Sequence, residues 1–207
     1  MSATSREIGS AVIGFGWMGK AHTTAYARVP HHLTEVAVRP RLVLVADAVP
    51  GRAAEAAERF GFESATEDWH DVLTDPRVEA VSVTAPNFLH RELGTAVADA
   101  GKHLWIEKPV GLGLADAQAV ADAVARADLT GVVGFNYRHS PAVEEARRLV
   151  TEAPSGTSRT AGCGCSATTP PSRRRAVLAL RARARWQRVL GDLASHGVDL
   201  IRFVLGE

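Results

Sequence analysis

An α/β fold, a doubly wound parallel sheet of the Rossmann type, is what this sequence of 207 residues predicts. Three observations carry that expectation. Short apolar runs of strand length alternate with alanine-rich helical stretches over residues 1–150. The first run leads directly into Gly14-Phe15-Gly16-Trp17-Met18-Gly19, a G-x-G-x-x-G loop that opens a helix. The second run ends on an acid, Asp47.

The elements follow in order. Residues 8–13 read as a short buried strand, and a helix runs from about 19 to 29, interrupted by Pro30. Residues 41–46 form a second strand. After the Pro50-Gly51 turn comes an alanine-rich helix over 52–60, with Gly61 as its C-cap. A short helix around 69–73 ends before Asp75-Pro76, and 80–83 is a third strand. A helix over 89–100 stops at Gly101, and 103–106 is a fourth strand. Helix 114–127, strand 131–135 and helix 141–150 complete the series. No internal repeat is present. The domain expectation is a nucleotide-binding Rossmann domain over 1–138 and an incomplete α+β substrate and oligomerisation domain over 139–207.

Composition narrows the function classes. Hydrophobic residues make up 46%, enough for a substantial core. With 24 basic and 23 acidic side chains, nothing draws the whole chain toward nucleic acid or a membrane surface. No apolar run approaches the roughly 20 residues that cross a bilayer. Residues 1–10 are polar and lack a signal-peptide pattern, so a cytoplasmic protein is expected. Cys163 and Cys165, with one residue between them, do not make a disulfide framework.

The glycine loop suits a dinucleotide. Gly14 permits the tight turn, Gly16 lets backbone approach a pyrophosphate, and Gly19 allows close helix–strand packing. Phe15, Trp17 and Met18 lie between them, and the helix N-terminus offers N–H groups and a positive dipole end. Asp47 stands where an acid accepts hydrogen bonds from a ribose 2′-hydroxyl and repels a 2′-phosphate, which favours NAD over NADP. Its plainer reading is a turn starter before Pro50-Gly51.

Four segments then stand in a telling order: the glycine loop, Thr84-Ala85-Pro86-Asn87-Phe88-Leu89-His90, Glu107-Lys108-Pro109, and Gly134-Phe135-Asn136-Tyr137-Arg138. Their combination resembles the glucose–fructose oxidoreductase / inositol dehydrogenase / rhizopine catabolism (Gfo/Idh/MocA) family over 8–150, and again from 189 to 207. The resemblance implies an NAD(P)-dependent oxidoreductase that interconverts a secondary alcohol of a sugar, polyol or related small molecule with the ketone. It implies Lys108 beside the nicotinamide and the reacting hydroxyl, polarising the oxygen and moving a proton, with Glu107 orienting it. Pro86, Asn87, His90 and Glu107 are expected along the cofactor, and Tyr137 and Arg138 along the substrate. Asn87, His90, Tyr137 and Arg138 serve equally well as loop hydrogen-bonders.

Near the C-terminal end, Gly191-Asp192-Leu193-Ala194-Ser195-His196-Gly197-Val198-Asp199 places Asp192 and His196 four apart on a helix, with Asp199 three further on. Polar groups aligned on so apolar a segment are costly unless they serve something. The resembled family has an Asp-x-x-x-His pair that contacts substrate and exchanges its proton. His196 is therefore the expected acid/base and Asp192 its partner, converging with Lys108 beside the dinucleotide. The local alternative is an N-cap aspartate with an exposed histidine. Zinc is set aside because no further ligand cluster accompanies the pair.

Between 153 and 190 the chain changes character: Cys-Gly-Cys, Thr-Thr-Pro-Pro, Arg173-Arg174-Arg175 and an arginine/alanine alternation replace any apolar period. The readings are a basic nucleic-acid arm or small metal loop, a disordered insertion, or compensating frameshifts in the coding DNA. The frameshift hypothesis is favoured. Moving the codons of 176–188 by one base permits Trp-Arg and Gly-Gly-x-Gly ahead of Gly191-Asp192, as the resembled family has. An unbroken reading frame on resequencing would remove it. With the second domain barely begun at Glu207, the expectation is NAD binding without efficient turnover. A homo-oligomer is expected of an intact relative, and no nucleic-acid or membrane partner. The rival is an inactive nucleotide-binding scaffold or regulator in which Lys108 is dispensable.

Overall fold

The computed structural model describes residues 6–33, 37–152 and 194–206. The anomalous stretch 153–190 and Asp192 lie outside the described residues. The chain divides into two compact units, Met1–Gly134 and Phe135–Glu207.

In the first unit six parallel strands form one sheet: β1 (Arg6–Ile13), β2 (Val38–Ala46), β3 (Ser64–Thr66), β4 (Ala80–Val83), β5 (His103–Ile106) and β6 (Gly131–Val133). Their spatial order is β3-β2-β1-β4-β5-β6. The order reverses between β1 and β4, and a doubly wound sheet opens its ligand crevice outside the strand ends at that point. Five helices connect the strands: α1 (Trp17–His32), α2 (Arg52–Phe60), α3 (His70–Thr74), α4 (His90–Asp99) and α5 (Leu114–Arg126).

The carboxyl-terminal halves of β1 and β2, residues 11–13 and 43–46, are unbroken apolar runs because both faces of the sheet are covered there. Ala11 and Ile13 of β1 pack into one core cluster, and Val12 between them packs into the other with Phe15, Val45 and Ala53. The alternation slips once. Ser10 pairs with Leu42 and Ala11 with Leu44, so Val43 is an extra residue in β2. That bulge is why the successive residues Val43 and Leu44 belong to the same cluster.

Three elements depart from the sequence expectation. Helix α1 runs through Pro30 to His32, closing with the Leu33 N–H on the Val29 carbonyl at 3.0 Å. In the last turn a proline forfeits little beyond its own donor. Strand β2 starts at Val38, and its Pro40 stands opposite Ile8, ahead of the bulge. Strand β3 is an addition, three residues paired to Leu44, Val45 and Ala46.

The second unit has a 3₁₀ turn (Asn136–His139) and two described helices, α6 (Pro141–Glu152) and α7 (Ser195–Leu205). Helix α7 carries the predicted polar segment from Ser195 onward. Among the described residues, no helix is long and apolar enough to cross a membrane.

Candidate active site

At the carboxyl end of β1, Gly14 turns the chain with φ of 90°, and its N–H donates to the Ala46 carbonyl at 2.8 Å. A Cβ at this position would stand 2.7 Å from the Ala85 backbone. At Gly19 a Cβ would stand 2.5 Å from the Gly14 carbonyl oxygen. Gly16 is the opposite case, since a Cβ there meets nothing within 4 Å. The flanking glycines are needed because protein crowds them, whereas Gly16 faces open space at the head of α1. The first turn of α1 holds no acid, and no side chain caps it. Its N–H groups and positive dipole end are available to an anion, so the cradle fits a dinucleotide pyrophosphate.

Asp47, almost wholly buried, ties this loop down. One carboxylate oxygen accepts the Phe15 N–H at 2.6 Å and the other the Val49 N–H at 2.9 Å, and Arg52 Nη1 donates to both at 3.3 and 3.4 Å. Asp47 therefore both starts the turn and braces the glycine loop. The Phe15 ring points into the core, edge-on to Phe60 and Phe62, so only its backbone is available to a ligand. Trp17 stands 81% exposed. Just past β4, the Thr84 N–H donates to the Ile13 carbonyl at 2.9 Å, and its hydroxyl donates to the Gly14 carbonyl.

Beyond β4, Pro86 and Asn87 are exposed on a 3₁₀ turn, while His90 behind them is 1% exposed. Its Nδ1 faces the Pro109 carbonyl at 2.7 Å and its Nε2 the Ala85 carbonyl at 2.8 Å. His90 thus lies between two loop carbonyls. Glu107 is likewise turned inward, with Oε1 3.0 Å from His22 Nε2. Lys108 follows it, half-buried, just past the end of β5.

Within the second unit, Tyr137 stacks on His196 with ring centroids 4.5 Å apart, and Phe135 meets the same imidazole edge-on at 6.0 Å. Arg138 grips Asp199 with two hydrogen bonds, the one from Nε at 2.8 Å. That carboxylate raises the Arg138 pKa further above its ordinary range. The guanidinium also lies over the Phe203 ring, 5.2 Å from its centroid. The structure thus brings Tyr137 to His196 and Arg138 to Asp199.

Residues 8–135 match a family described as "Oxidoreductase family, NAD-binding Rossmann fold" (GFO_IDH_MocA). The chain belongs to this family. It is 36% identical over 202 residues to a levoglucosan dehydrogenase of Pseudarthrobacter phenanthrenivorans, a match spanning 95% of this chain and 50% of that protein. It is 28% identical over 200 residues to a myo-inositol 2-dehydrogenase of Thermotoga maritima, spanning 95% and 54%. Among solved structures, a levoglucosan dehydrogenase in complex with NADH and levoglucosan aligns with a TM-score of 0.82 at 34% identity, covering 98% of this chain and 55% of that one. The chain spans about half the length of these relatives.

Three contact-making residues of this chain were given no role by the sequence alone. Arg52, at the head of α2, holds Asp47 and through it the glycine loop. His22 and Tyr26, four apart on α1, reach Ser82 of β4. Two polar side chains at helical spacing on a face that also buries Gly19 and Thr23 were the available signal.

Proposed function

We propose that this chain works as an NAD-dependent dehydrogenase that interconverts a secondary alcohol of a sugar- or polyol-like molecule with its ketone. Bound NAD supplies the hydride acceptor. The backbone from Gly14 to Gly19 holds the pyrophosphate against the head of α1, flanked by Trp17, Met18, Pro86 and Asn87. Asp47 keeps lone pairs for a ribose hydroxyl, and its charge disfavours a 2′-phosphate, so NAD is taken in preference to NADP. The Lys108 ammonium polarises the reacting oxygen and steadies it as its proton leaves. His196, with Asp192 as its partner, is the base that receives that proton, and Tyr137 steadies the imidazole from one face.

The observation that carries this reading is the opening at Gly16 between two glycines that protein closes off. Replacing Gly16 by valine fills the phosphate approach without touching the fold. An NADH fluorescence titration should weaken about tenfold or more, while the melting temperature moves by no more than about 2 °C. With inositols and anhydrosugars offered as substrates, Lys108→Met should lower NADH formation by about 100-fold or more. A chain that ignores NADH overturns the cofactor assignment. A Lys108→Met variant as active as the parent leaves a nucleotide-binding scaffold instead.

A further inference from the structure

The tripeptide that carries Lys108 is gripped on each side by a buried histidine. On the amino side the partner is the Glu107 carboxylate. Its Oε1 stands 3.0 Å from His22 Nε2, and the two side chains are 9% and 4% exposed. A carboxylate only accepts, so the proton of this contact sits on Nε2. Nδ1 lies 3.1 Å from the Ser82 hydroxyl oxygen, which in turn is 2.6 Å from the Tyr26 hydroxyl. A continuous hydrogen-bonded chain thus runs Tyr26–Ser82–His22–Glu107. Trp105 covers the imidazole, with ring centroids 4.2 Å apart. Gly134 makes room for the carboxylate, since a Cβ at that position would stand 2.6 Å from Oε1.

On the other side the grip is on backbone. His90 faces the Pro109 carbonyl with Nδ1 and the Ala85 carbonyl with Nε2, at 2.7 and 2.8 Å. Carbonyls only accept, so a ring nitrogen that carries a proton donates to the carbonyl it faces. His90 thereby joins the loop after β5 to the loop after β4. Neither histidine is open to solvent, which suits holding a neighbour better than meeting a substrate.

We propose that His22 and His90 are the positioning residues of Lys108: they fix residues 107 and 109, and so determine where the amine between them is held. The proposal rests on the reading that Lys108 works on the reacting oxygen, where a small misplacement costs rate. Plain core packing, the competing role, would alter stability and leave the surroundings of the amine unchanged.

The test reads Lys108 directly in the full chain, without turnover. Trace acetylation of the three lysines, mapped by peptide mass between about pH 7 and 11, gives the reactivity of Lys108 relative to exposed Lys20. In His22→Phe and His90→Phe that ratio, or the midpoint of its pH profile, should shift by about threefold or more. His22→Gln, which keeps a donor for Glu107, should return toward the parent. His90→Gln, which keeps one of two contacts, should fall between. The glutamine variants decide the matter if the phenylalanine variants do not fold. Ratios within about 1.5-fold of the parent in every folded variant overturn the proposal, whatever their melting temperatures. The role of Lys108 itself is judged separately by the turnover of Lys108→Met, so either idea can fail alone.

Discussion

Helix α4 of the first unit buries five of its ten residues, His90, Leu93, Gly94, Val97 and Ala98, whereas α6 buries none and α7 only Asp199. The polar contacts differ in the same sense. Those of the first unit join distant parts of its sheet, with Phe15 held by Asp47, His22 by Ser82 and Glu107 by His22. In the second unit polar contacts such as those of Arg148 with Glu145 and Glu152 along α6, and of Arg138 with Asp199, are local or exposed, and Leu149, Val150 and Val198 stand largely in water. Site geometry in the first unit is therefore a property of the whole sheet and persists until that sheet opens. His196 and Asp199 stand on a helix that buries only Asp199, where local opening costs less.

The contrast breaks most visibly with paired truncations. Leu93, 2% exposed, packs in the main core, and Leu93→Ala should cost about 2–5 kcal/mol in a denaturant melt. Leu149, 55% exposed, should lose no more than about 0.5 kcal/mol on the same change. Equal costs would mean that the two units are packed alike. A smaller effect separates them from the other direction. Asp199→Ala leaves the Arg138 guanidinium without its carboxylate, which should ease the opening of α7 by about 1–3 kcal/mol. Hydrogen exchange would show this as faster amides in Ser195–Leu205 with β4 unchanged, and slowing or uniform acceleration would contradict it.

The same divide governs what could be read from the sequence. The glycine loop, the alternation of strands with helices and the polar helix around His196 are local patterns, fixed by turn chemistry and by periods of two and 3.6 residues. Strand β3 carries no such pattern: Ser64-Ala65-Thr66 becomes a strand because β2 offers it a ladder. The slip that inserts Val43 is likewise invisible without the partner strand. Asp47 was found by its place after a strand, and its grip on Phe15 came only with the fold. Glu107 was singled out for its neighbour Lys108, yet its partner His22 lies 85 residues earlier, and no local spacing connects the two. Chemistry written in adjacent residues was legible, and chemistry assembled across the sheet was not.

The smallest predicted effect probes that assembled chemistry through pH. Burial raises the Tyr26 phenol above its ordinary 10.0, because the phenolate would lose its hydration, and the Ser82 hydrogen bond only partly offsets this. For a group whose folded pKa is raised, the stabilisation is complete below the unfolded value and is lost as pH climbs through the folded one. The first unit should therefore keep its stability up to about pH 10 and lose it above, with chemical denaturation following the slope. The chain has two tyrosines, so in Tyr137→Phe the ultraviolet titration reports Tyr26 alone. Its absorbance should rise late and together with unfolding. Tyr26→Phe should flatten the alkaline slope while costing about 0.5–1.5 kcal/mol at neutral pH for the lost hydroxyl. A Tyr26 that ionised below pH 10 in a still-folded protein would show that the end of the Tyr26–Ser82–His22–Glu107 chain is open to water, and that the first unit guards its polar contacts no better than the second.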